Sequence, residues 1–112
     1  MKTTAYLRIS TADQDIEKNK SDILKLANEK RLGYVEFIEE QISGKVSWKK
    51  RKLFAIIDDA KKDDVLIVSE LSRLGRSMLE IMEILSIASQ KQMKIYAVKG
   101  NWNLDDSIQS KV

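Results

Sequence analysis

The sequence predicts an α/β fold built on an open, mostly parallel sheet of about four or five strands flanked by helices. Apolar runs of strand length alternate with helix-period stretches in the order β-α-β-α-β-α-β, which is typical of parallel strands joined by crossover helices. The run "VLIVS" at residues 65–69 is apolar throughout, as expected for a central strand covered on both faces. The length of 112 residues fits a single domain.

The first half of the chain predicts a strand, a helix and a second strand. Residues Thr3–Ile9 are β-branched and aromatic, which is typical of a strand. Thr11 and Gln14 have the spacing of a capping box, so we expect a helix to begin there, and Gly33 is expected to end it. Residues 34–40 alternate and predict the second strand. The apolar stripe of the helix comprises Ile16, Ile23, Leu24 and Ala27, with Leu26 as a further candidate.

The second half predicts two more helices and two more strands. The segment 41–52 is polar and reads as a loop, in which Trp48 either covers the core or contacts a partner. A turn at 61–64 precedes the apolar strand 65–69, and residues 94–100 predict the fourth strand. The second helix has an apolar stripe of Leu53, Phe54, Ile56, Ile57 and Ala60. The third has Met78, Leu79, Ile81, Met82, Leu85 and Ala88, all expected in the core.

The last residues predict a division of the chain. Residues 1–104 are expected to form the domain, and residues 105–112 are expected to begin a truncated C-terminal helix. Asp105 or Asp106 could cap that helix, but a helix of about one turn is not stable alone. The sequence is therefore expected to be a fragment of a longer protein.

Composition excludes several kinds of chemistry. The chain has no histidine and no cysteine, which removes Ser-His-Asp catalysis and a thiolate zinc site. Its 20 basic and 17 acidic residues give a net charge of +3, which permits a polyanionic partner without requiring one. The apolar runs are too short to span a membrane, and the N-terminus lacks the apolar core of a signal peptide. We expect a cytoplasmic protein with no membrane partner.

Arginines and a serine follow two of the predicted strands. Arg8 and Ser10 follow the first strand, and Arg73 and Arg76 follow the third, where the sequence reads "SELSRLGRS". Open α/β sheets place their sites at the carboxyl ends of strands. Arginine forks match phosphate oxygens, and a hydroxyl at a helix N-terminus can act as a nucleophile beside an anion. Gly75 would let the backbone approach closely. Together these residues predict a phosphodiester site.

Simpler interpretations exist for each residue. Ser10 could be an ordinary helix cap, although Thr11 can fill that role. Arg73 and Arg76 could form a solvated first helical turn, but cations are disfavoured at a helix N-terminus. Tyr6 is most simply a strand residue half in the core, and the basic cluster "KKRK" at 49–52 is either solvated or in contact with phosphate.

Four motifs, in order, resemble the serine recombinases, the family of resolvases and DNA invertases. "YLRIST" resembles the opening motif of that family, and "ADQ" follows at the expected spacing. "ISGK" resembles its S-G loop, and "ELSRLGRS" resembles its x-L-D-R-L-G-R motif. The resemblance covers essentially the whole chain, and it implies a resolvase-like catalytic domain that takes part in DNA recombination, such as inversion, resolution, integration or transposition in a bacterial mobile element.

The resemblance implies a mechanism and a set of site residues. Ser10 would attack a DNA phosphodiester and form a 5′-phosphoserine intermediate, with no metal and no cofactor required. The residues that match the family's catalytic positions are Ser10, Arg8, Arg73 and Arg76. Those that match its supporting positions are Tyr6, Gln14 and Ser43, with a basic residue after Ser43 that Arg51 fits best and for which Lys49 and Lys50 compete. The implied partners are double-stranded DNA and further copies of the chain, as a homodimer and as a tetramer in the synaptic complex.

The chain departs from the family in two places. Ser72 stands where the family usually has aspartate, and it is expected to support the site by orienting Arg73, while Glu70 or Asp13 could supply an ionised group. The family's long dimerisation helix and DNA-binding domain are essentially absent, so the DNA affinity of this fragment should be weak and salt-sensitive. The alternatives are a receiver-like signalling domain, which would need clustered acids at the strand ends, and a catalytically inactive interaction module.

Overall fold

A computed structural model of the chain describes residues 1–9 and 16–104 and confirms the predicted α/β class. The strands are β1 (Thr3–Ile9), β2 (Val35–Gln41), β3 (Val65–Val68), β4 (Lys94–Ala97) and β5 (Trp102–Leu104). The α-helices are α1 (Ile16–Glu29), α2 (Lys52–Asp58) and α3 (Met78–Lys91). The sheet order is β2-β1-β3-β4-β5, and every pair is parallel except β4 with β5.

The order of the strands creates a crevice at one edge of the sheet. From β1 the chain crosses over to β2 on one side, and β3 then pairs with β1 on the other side. Ligands of open α/β sheets bind where the order reverses in this way, beyond the carboxyl ends of the strands. The carboxyl ends of β1 and β3 therefore lie on the same edge of the sheet.

The two faces of the sheet carry separate cores. Tyr6 of β1 faces the core under α2 and α3, where it joins Leu53, Leu66 and Ile84. Ala5 and Leu7 face the core under α1 because side chains of a strand alternate between the two faces. Arg8 lies two residues after Tyr6, and it therefore belongs to the face covered by α2 and α3.

The end of α1 differs from the prediction. Arg31, not Gly33, is the left-handed residue that ends the helix, with φ 56°. Arg31 N donates to Asn28 O and Leu32 N donates to Ala27 O, which is the paired bonding of a Schellman ending. Within the apolar stripe Leu24 is exposed, contrary to expectation, whereas the further candidate Leu26 is buried. The predicted start at Thr11 and Gln14 lies outside the described residues.

The beginning of α3 corrects a second expectation. The predicted core positions Met78, Leu79 and Met82 are exposed, and Leu79 is 81% exposed. The buried stripe consists of Ile81, Ile84 and Ala88, which recur at helical spacing and pack against the sheet. The helix is apolar around much of its circumference, so the pattern alone does not identify the face that packs.

The fourth predicted strand is shorter than expected and a fifth follows it. β4 ends at Ala97, and the chain turns through Gly100, which has φ 80°, before β5 returns antiparallel to β4. The predicted helix capped by Asp105 or Asp106 lies outside the described residues. In the part of the chain that the structure describes, no helix is both long and apolar enough to cross a membrane.

Candidate functional site

The described site residues lie in three segments beside the carboxyl edge of the sheet. They are Tyr6 and Arg8 on β1, Ser43 and Arg51 on the segment 42–51, and Ser72, Arg73 and Arg76 on the segment 69–77. We call the segment between β2 and α2 the first loop (42–51) and the segment between β3 and α3 the second loop (69–77). Ser10 and Gln14, which complete the predicted set, lie outside the described residues.

Arg8 is held against the first loop. Its Nη1 donates to Ile42 O at 3.3 Å, and Ile42 N donates to Ile9 O at 3.1 Å. The guanidinium lies so close to Gly44 that a Cβ atom there would be 3.3 Å from Arg8 Cζ. A side chain at this position would press on the guanidinium and shift it slightly, so Gly44 favours the observed position of Arg8.

Tyr6 is fully buried beneath this loop rather than half-buried. Its hydroxyl donates to Glu40 Oε1 at 2.9 Å, and the same oxygen accepts from Lys52 N at 2.8 Å, where α2 begins. Burial raises the pKa of Tyr6, and so do the hydrogen bond to Glu40 and the negative charge of Glu40. The positive charge of Arg51 lowers it by a smaller amount. Tyr6 is therefore a neutral phenol that fixes the start of α2.

Arg51 joins the two loops. It is 4% exposed. Its Nε donates to Val46 O at 3.0 Å and its Nη2 donates to Gly44 O at 3.1 Å, both within the first loop. Its Nη1 donates to Arg73 O at 3.1 Å and to Leu74 O at 3.5 Å in the second loop. The competing cations Lys49 and Lys50 are exposed.

Arg73 contacts a carboxylate at the end of β3. Its Nε lies 3.5 Å from Glu70 Oε1, and Lys99 Nζ lies 3.5 Å from Glu70 Oε2. The Ser72 hydroxyl donates to Glu70 Oε1 at 2.8 Å. That hydrogen bond, followed by the charges of Arg73 and Lys99, lowers the pKa of Glu70 despite partial burial. Ser72 thus acts on Glu70, and Glu70 is the ionised group beside Arg73.

Arg76 is tied to the beginning of α3. Its backbone N donates to Glu80 Oε1 at 3.0 Å, and its Nε lies 3.3 Å from Glu80 Oε2. Glu80 Oε1 also accepts from Trp48 N at 3.4 Å, which connects α3 to the first loop. Desolvation opposes ionisation of Glu80, but the hydrogen bonds from Arg76, Ser47 and Trp48 outweigh it and lower its pKa.

The packing around Glu80 explains two further residues. A Cβ atom on Gly75 would lie 2.8 Å from Glu80 Cβ, so only glycine fits at this position without a shift. Trp48 is buried, and its Nε1 donates to Glu83 Oε1 at 3.3 Å. Of the two interpretations of Trp48, the structure confirms the one in which it covers the core.

Three residues that organise the site were not predicted. Glu40 pairs in register with Arg8, so the end of β2 is brought beside the end of β1 by the parallel register. Glu80 carries a usable signal, because it stands three residues after the helix cap Ser77, as in a capping box. Gly44 belongs to the "ISGK" motif, but the sequence does not show that this glycine lies beside Arg8.

The arrangement can hold an anion near several guanidinium groups. The contacts run from Arg8 to Gly44, from Gly44 to Arg51 and from Arg51 to Arg73, all at one edge of the sheet. A cavity of about 370 Å³ opens beside Arg73, lined by Lys18, Asn19, Asp22, Ser69, Glu70, Arg73, Val98 and Lys99. Among the described residues, no group of three or more His, Cys, Asp and Glu could hold a metal ion.

Comparison with known proteins shows the family of this chain. A family model described as the resolvase N-terminal domain matches residues 3–111. The transposon Tn1546 resolvase of Enterococcus faecium is 28% identical over 91% of this chain and 50% of its own length. The DNA-invertase hin of Salmonella typhimurium is 35% identical over 77% of this chain and 42% of its own length. The chain spans about half the length of the curated relatives it matches.

A solved structure shares the fold. A resolvase family site-specific recombinase from Streptococcus pneumoniae aligns with a TM-score of 0.65 and 20% identity, over 99% of this chain and 82% of that one. Nothing in these comparisons favours the receiver-like or inactive alternatives. The family model, the relatives and the fold agree, and the chain belongs to the resolvase N-terminal domain family of the serine recombinases.

Proposed function

We propose that this chain is the catalytic domain of a serine site-specific recombinase that cleaves and rejoins DNA. The observation that carries the proposal is the run of contacts from Arg8 through Gly44 and Arg51 to the backbone of Arg73. It supports the proposal because it connects the backbone of β1, which carries Arg8, to the second loop, which carries Arg73, at one edge of the sheet. The names of the relatives, which are resolvases and DNA invertases, support the same reaction class.

The reaction is a transesterification at phosphorus. The Ser10 hydroxyl attacks a DNA phosphodiester, a bond forms between Ser10 Oγ and phosphorus, and the bond from phosphorus to the 3′ oxygen breaks. The 3′ oxygen takes up a proton and leaves as a hydroxyl, while the serine proton passes to solvent or a nearby base. Rejoining reverses these steps with a 3′-hydroxyl as the nucleophile. The ester keeps the bond energy, so neither a metal nor a nucleotide cofactor is required.

Each site residue has a part in this proposal. Arg8, Arg73 and Arg76 bind the phosphate and stabilise charge in the five-coordinate transition state. The supporting residues are Tyr6, Gln14, Ser43, Arg51 and Ser72, which fix the loops and the orientation of the arginines.

The proposal extends to partners and domain limits. The substrate is double-stranded DNA, bound weakly by this domain because few cations contact phosphates. The protein acts as a homodimer that pairs into a tetramer during synapsis, in the cytoplasm where bacterial DNA lies. Residues 1–104 form the catalytic domain, and residues 105–112 begin the helix that follows it.

The test uses the protein in its full length and a DNA duplex that it selects from a random pool. A nicked suicide version of that duplex traps the intermediate as a covalent adduct, which is measured on a denaturing gel. We expect Ser10→Ala to abolish the adduct and to leave DNA binding in place. Arg73→Ala and Arg76→Ala should each slow cleavage about a hundredfold or more, which is the usual cost of losing one oriented donor.

The matched control is Ser21→Ala, which removes an exposed serine of α1 away from the site. It should form the adduct at the rate of the wild type. A normal yield from Ser10→Ala would refute the assignment of the nucleophile. Failure of the wild-type protein to form any adduct on its selected DNA would refute the proposed activity.

A further inference from the structure

We propose that Arg51 is a positioning residue that holds the two arginine-bearing loops in register and does not touch the DNA. The proposal rests on the proposed function and assigns a role within the same site. The resemblance to the family suggests a phosphate contact for a basic residue here. The geometry points to a different role for Arg51.

The N–H groups of the Arg51 side chain donate to backbone carbonyl oxygens. A guanidinium has five N–H groups in a rigid fork. Four hydrogen bonds leave it, to the carbonyl oxygens of Gly44 and Val46 in the first loop and of Arg73 and Leu74 in the second loop. A phosphate would have to displace these carbonyls to bind in the same fork. Each displaced carbonyl would then be left unsatisfied near the core, which is costly.

Burial leads to the same conclusion. Arg51, at the end of the first loop, is 4% exposed and close enough to Tyr6 for its charge to oppose the rise in the tyrosine pKa. Lys49 and Lys50, its neighbours in sequence, are exposed. Lys49 is in an exposed ion pair with Glu83, which contributes little and can be exchanged for phosphate. A phosphate that approaches the edge from solvent can therefore reach those lysines more easily than Arg51, so a contact from the first loop falls to them.

Two of the carbonyls that Arg51 binds lie beside catalytic arginines. Gly44 lies next to the guanidinium of Arg8, and Arg73 is itself bound through its backbone oxygen. Arg51 therefore connects the backbone beside one arginine to the backbone of another. A displacement of about 1 Å in a reacting geometry can reduce a rate about a hundredfold.

The first experiment separates positioning from a purely structural role. Arg51→Lys keeps the charge, but an ammonium has three donors on one nitrogen and cannot reproduce the four hydrogen bonds that leave the three nitrogens of the guanidinium. We expect single-turnover cleavage by the full-length protein to fall about a hundredfold, with DNA affinity within about twofold of the wild type. Rates are measured well below the melting temperature of each variant. The matched control is Arg31→Lys, the same change at an exposed position after α1, which should cleave normally. Cleavage by folded Arg51→Lys at the wild-type rate would overturn the proposal.

The second experiment uses wild-type protein, so it does not depend on the folding of a variant. Phenylglyoxal modifies accessible arginines, and mass spectrometry locates the products with and without the selected DNA. We expect Arg76, whose side chain is more than half exposed, to react and to be protected by DNA. Arg51 should remain unmodified in both samples. Modification of Arg51 that DNA prevents would show a phosphate contact and overturn the proposal. An absence of adduct with the wild type would instead refute the proposed function, a separate result.

Discussion

The two arginines of the second loop are each paired with a glutamate, but the two pairs are built differently. Glu70 contacts the Arg73 side chain at 3.5 Å and shares its other oxygen with Lys99, and both side chains of the Arg73 pair are partly exposed. Glu80 is 13% exposed and binds the backbone N–H groups of Arg76 and Trp48 as well as the Arg76 side chain. Glu70 thus contacts side chains, whereas Glu80 also accepts hydrogen bonds from the backbone.

The difference indicates separate roles within one site. Partly exposed ion pairs contribute about 0–1 kcal/mol, so Arg73 can exchange Glu70 for phosphate oxygens at little cost. Glu80 can release the Arg76 side chain in the same way, yet its hydrogen bonds to backbone keep the first loop attached to α3. Glu70 therefore pairs with Arg73 when DNA is not bound, whereas Glu80 stabilises the backbone that carries Arg76.

The largest effect on stability is expected from Glu80→Ala. It removes the acceptor of two backbone N–H groups, of which that of Trp48 is partly buried and that of Arg76 is exposed. A hydrogen bond to a charged group contributes about 1.5–3 kcal/mol, and the exposed bond contributes less because water can replace the lost acceptor. We expect the free energy of unfolding, measured by urea denaturation, to fall by about 1–3 kcal/mol. The matched variant Glu70→Ala, which loses only partly exposed side-chain contacts, should cost about 1 kcal/mol or less.

The comparison fails if the two variants are equally stable. If Glu70→Ala lowered the free energy of unfolding as much as Glu80→Ala did, Glu70 and its partners would also stabilise the backbone of the site. The m-value should be unchanged in both variants, since neither change alters the surface exposed on unfolding.

A smaller effect is expected from pH. The pKa values of Glu70 and Glu80 are both lowered in the folded state from the ordinary value of 4.5. Each therefore contributes stability that is present above pH 4.5 and is lost as the pH falls through the lowered value. The Ser72 hydrogen bond is the largest cause of the lowered Glu70 pKa and the charges of Arg73 and Lys99 follow it, so part of the Glu70 contribution should be lost in high salt. The contribution of Glu80 depends mainly on hydrogen bonds, with the charge of Arg76 as the smallest cause, so most of it should persist.

The check is acid-induced unfolding of the wild type, Glu70→Gln and Glu80→Gln at low and high salt. Glu70→Gln should flatten the pH dependence more at low salt than at high salt, and Glu80→Gln should flatten it by a similar amount at both. An effect of Glu80→Gln that disappears in high salt would contradict the distinction between the two pairs.

Most of the fold was predictable because the periodicity of apolar residues and the residue types of turns are local properties of the sequence. The strand Thr3–Ile9 and the buried run in 65–69 appear where the pattern predicts them, and alternation in β1 divides the two cores correctly. The packed face of α3 was not predictable, because Leu79 and Ile81 are equally apolar and only tertiary packing separates them. β5 is three residues long and depends on its pairing with β4, so no local pattern marks it.

The sequence predicted which residues belong to the candidate site better than it predicted which contacts they make. The motifs place Arg8 and Arg73 at strand ends, and the structure brings their segments together. Which cation is buried was not predictable, since Arg51 stands in a run of four basic residues that look alike in sequence. Glu40 is distant in sequence from Tyr6, and Glu80 is distant from Trp48, so neither contact could be predicted. Only the position of Glu80 three residues after the helix cap Ser77 gave a signal.

The smallest effect is expected at Ser72, where the chain departs from its family. Its hydroxyl donates to Glu70 and is exposed, and a typical hydrogen bond contributes about 0.5–1.5 kcal/mol net. Loss of that bond would loosen Glu70, and through it Arg73, so Ser72→Ala should slow cleavage by about tenfold at most. Ser72→Asp should be tolerated, because Arg73 and Lys99 offset the added charge beside Glu70. The measurement is single-turnover cleavage of the suicide duplex by the full-length variants, with Glu70→Gln in parallel. If Ser72→Ala slowed cleavage far more than Glu70→Gln did, Ser72 would act on the reacting groups directly and not through Glu70.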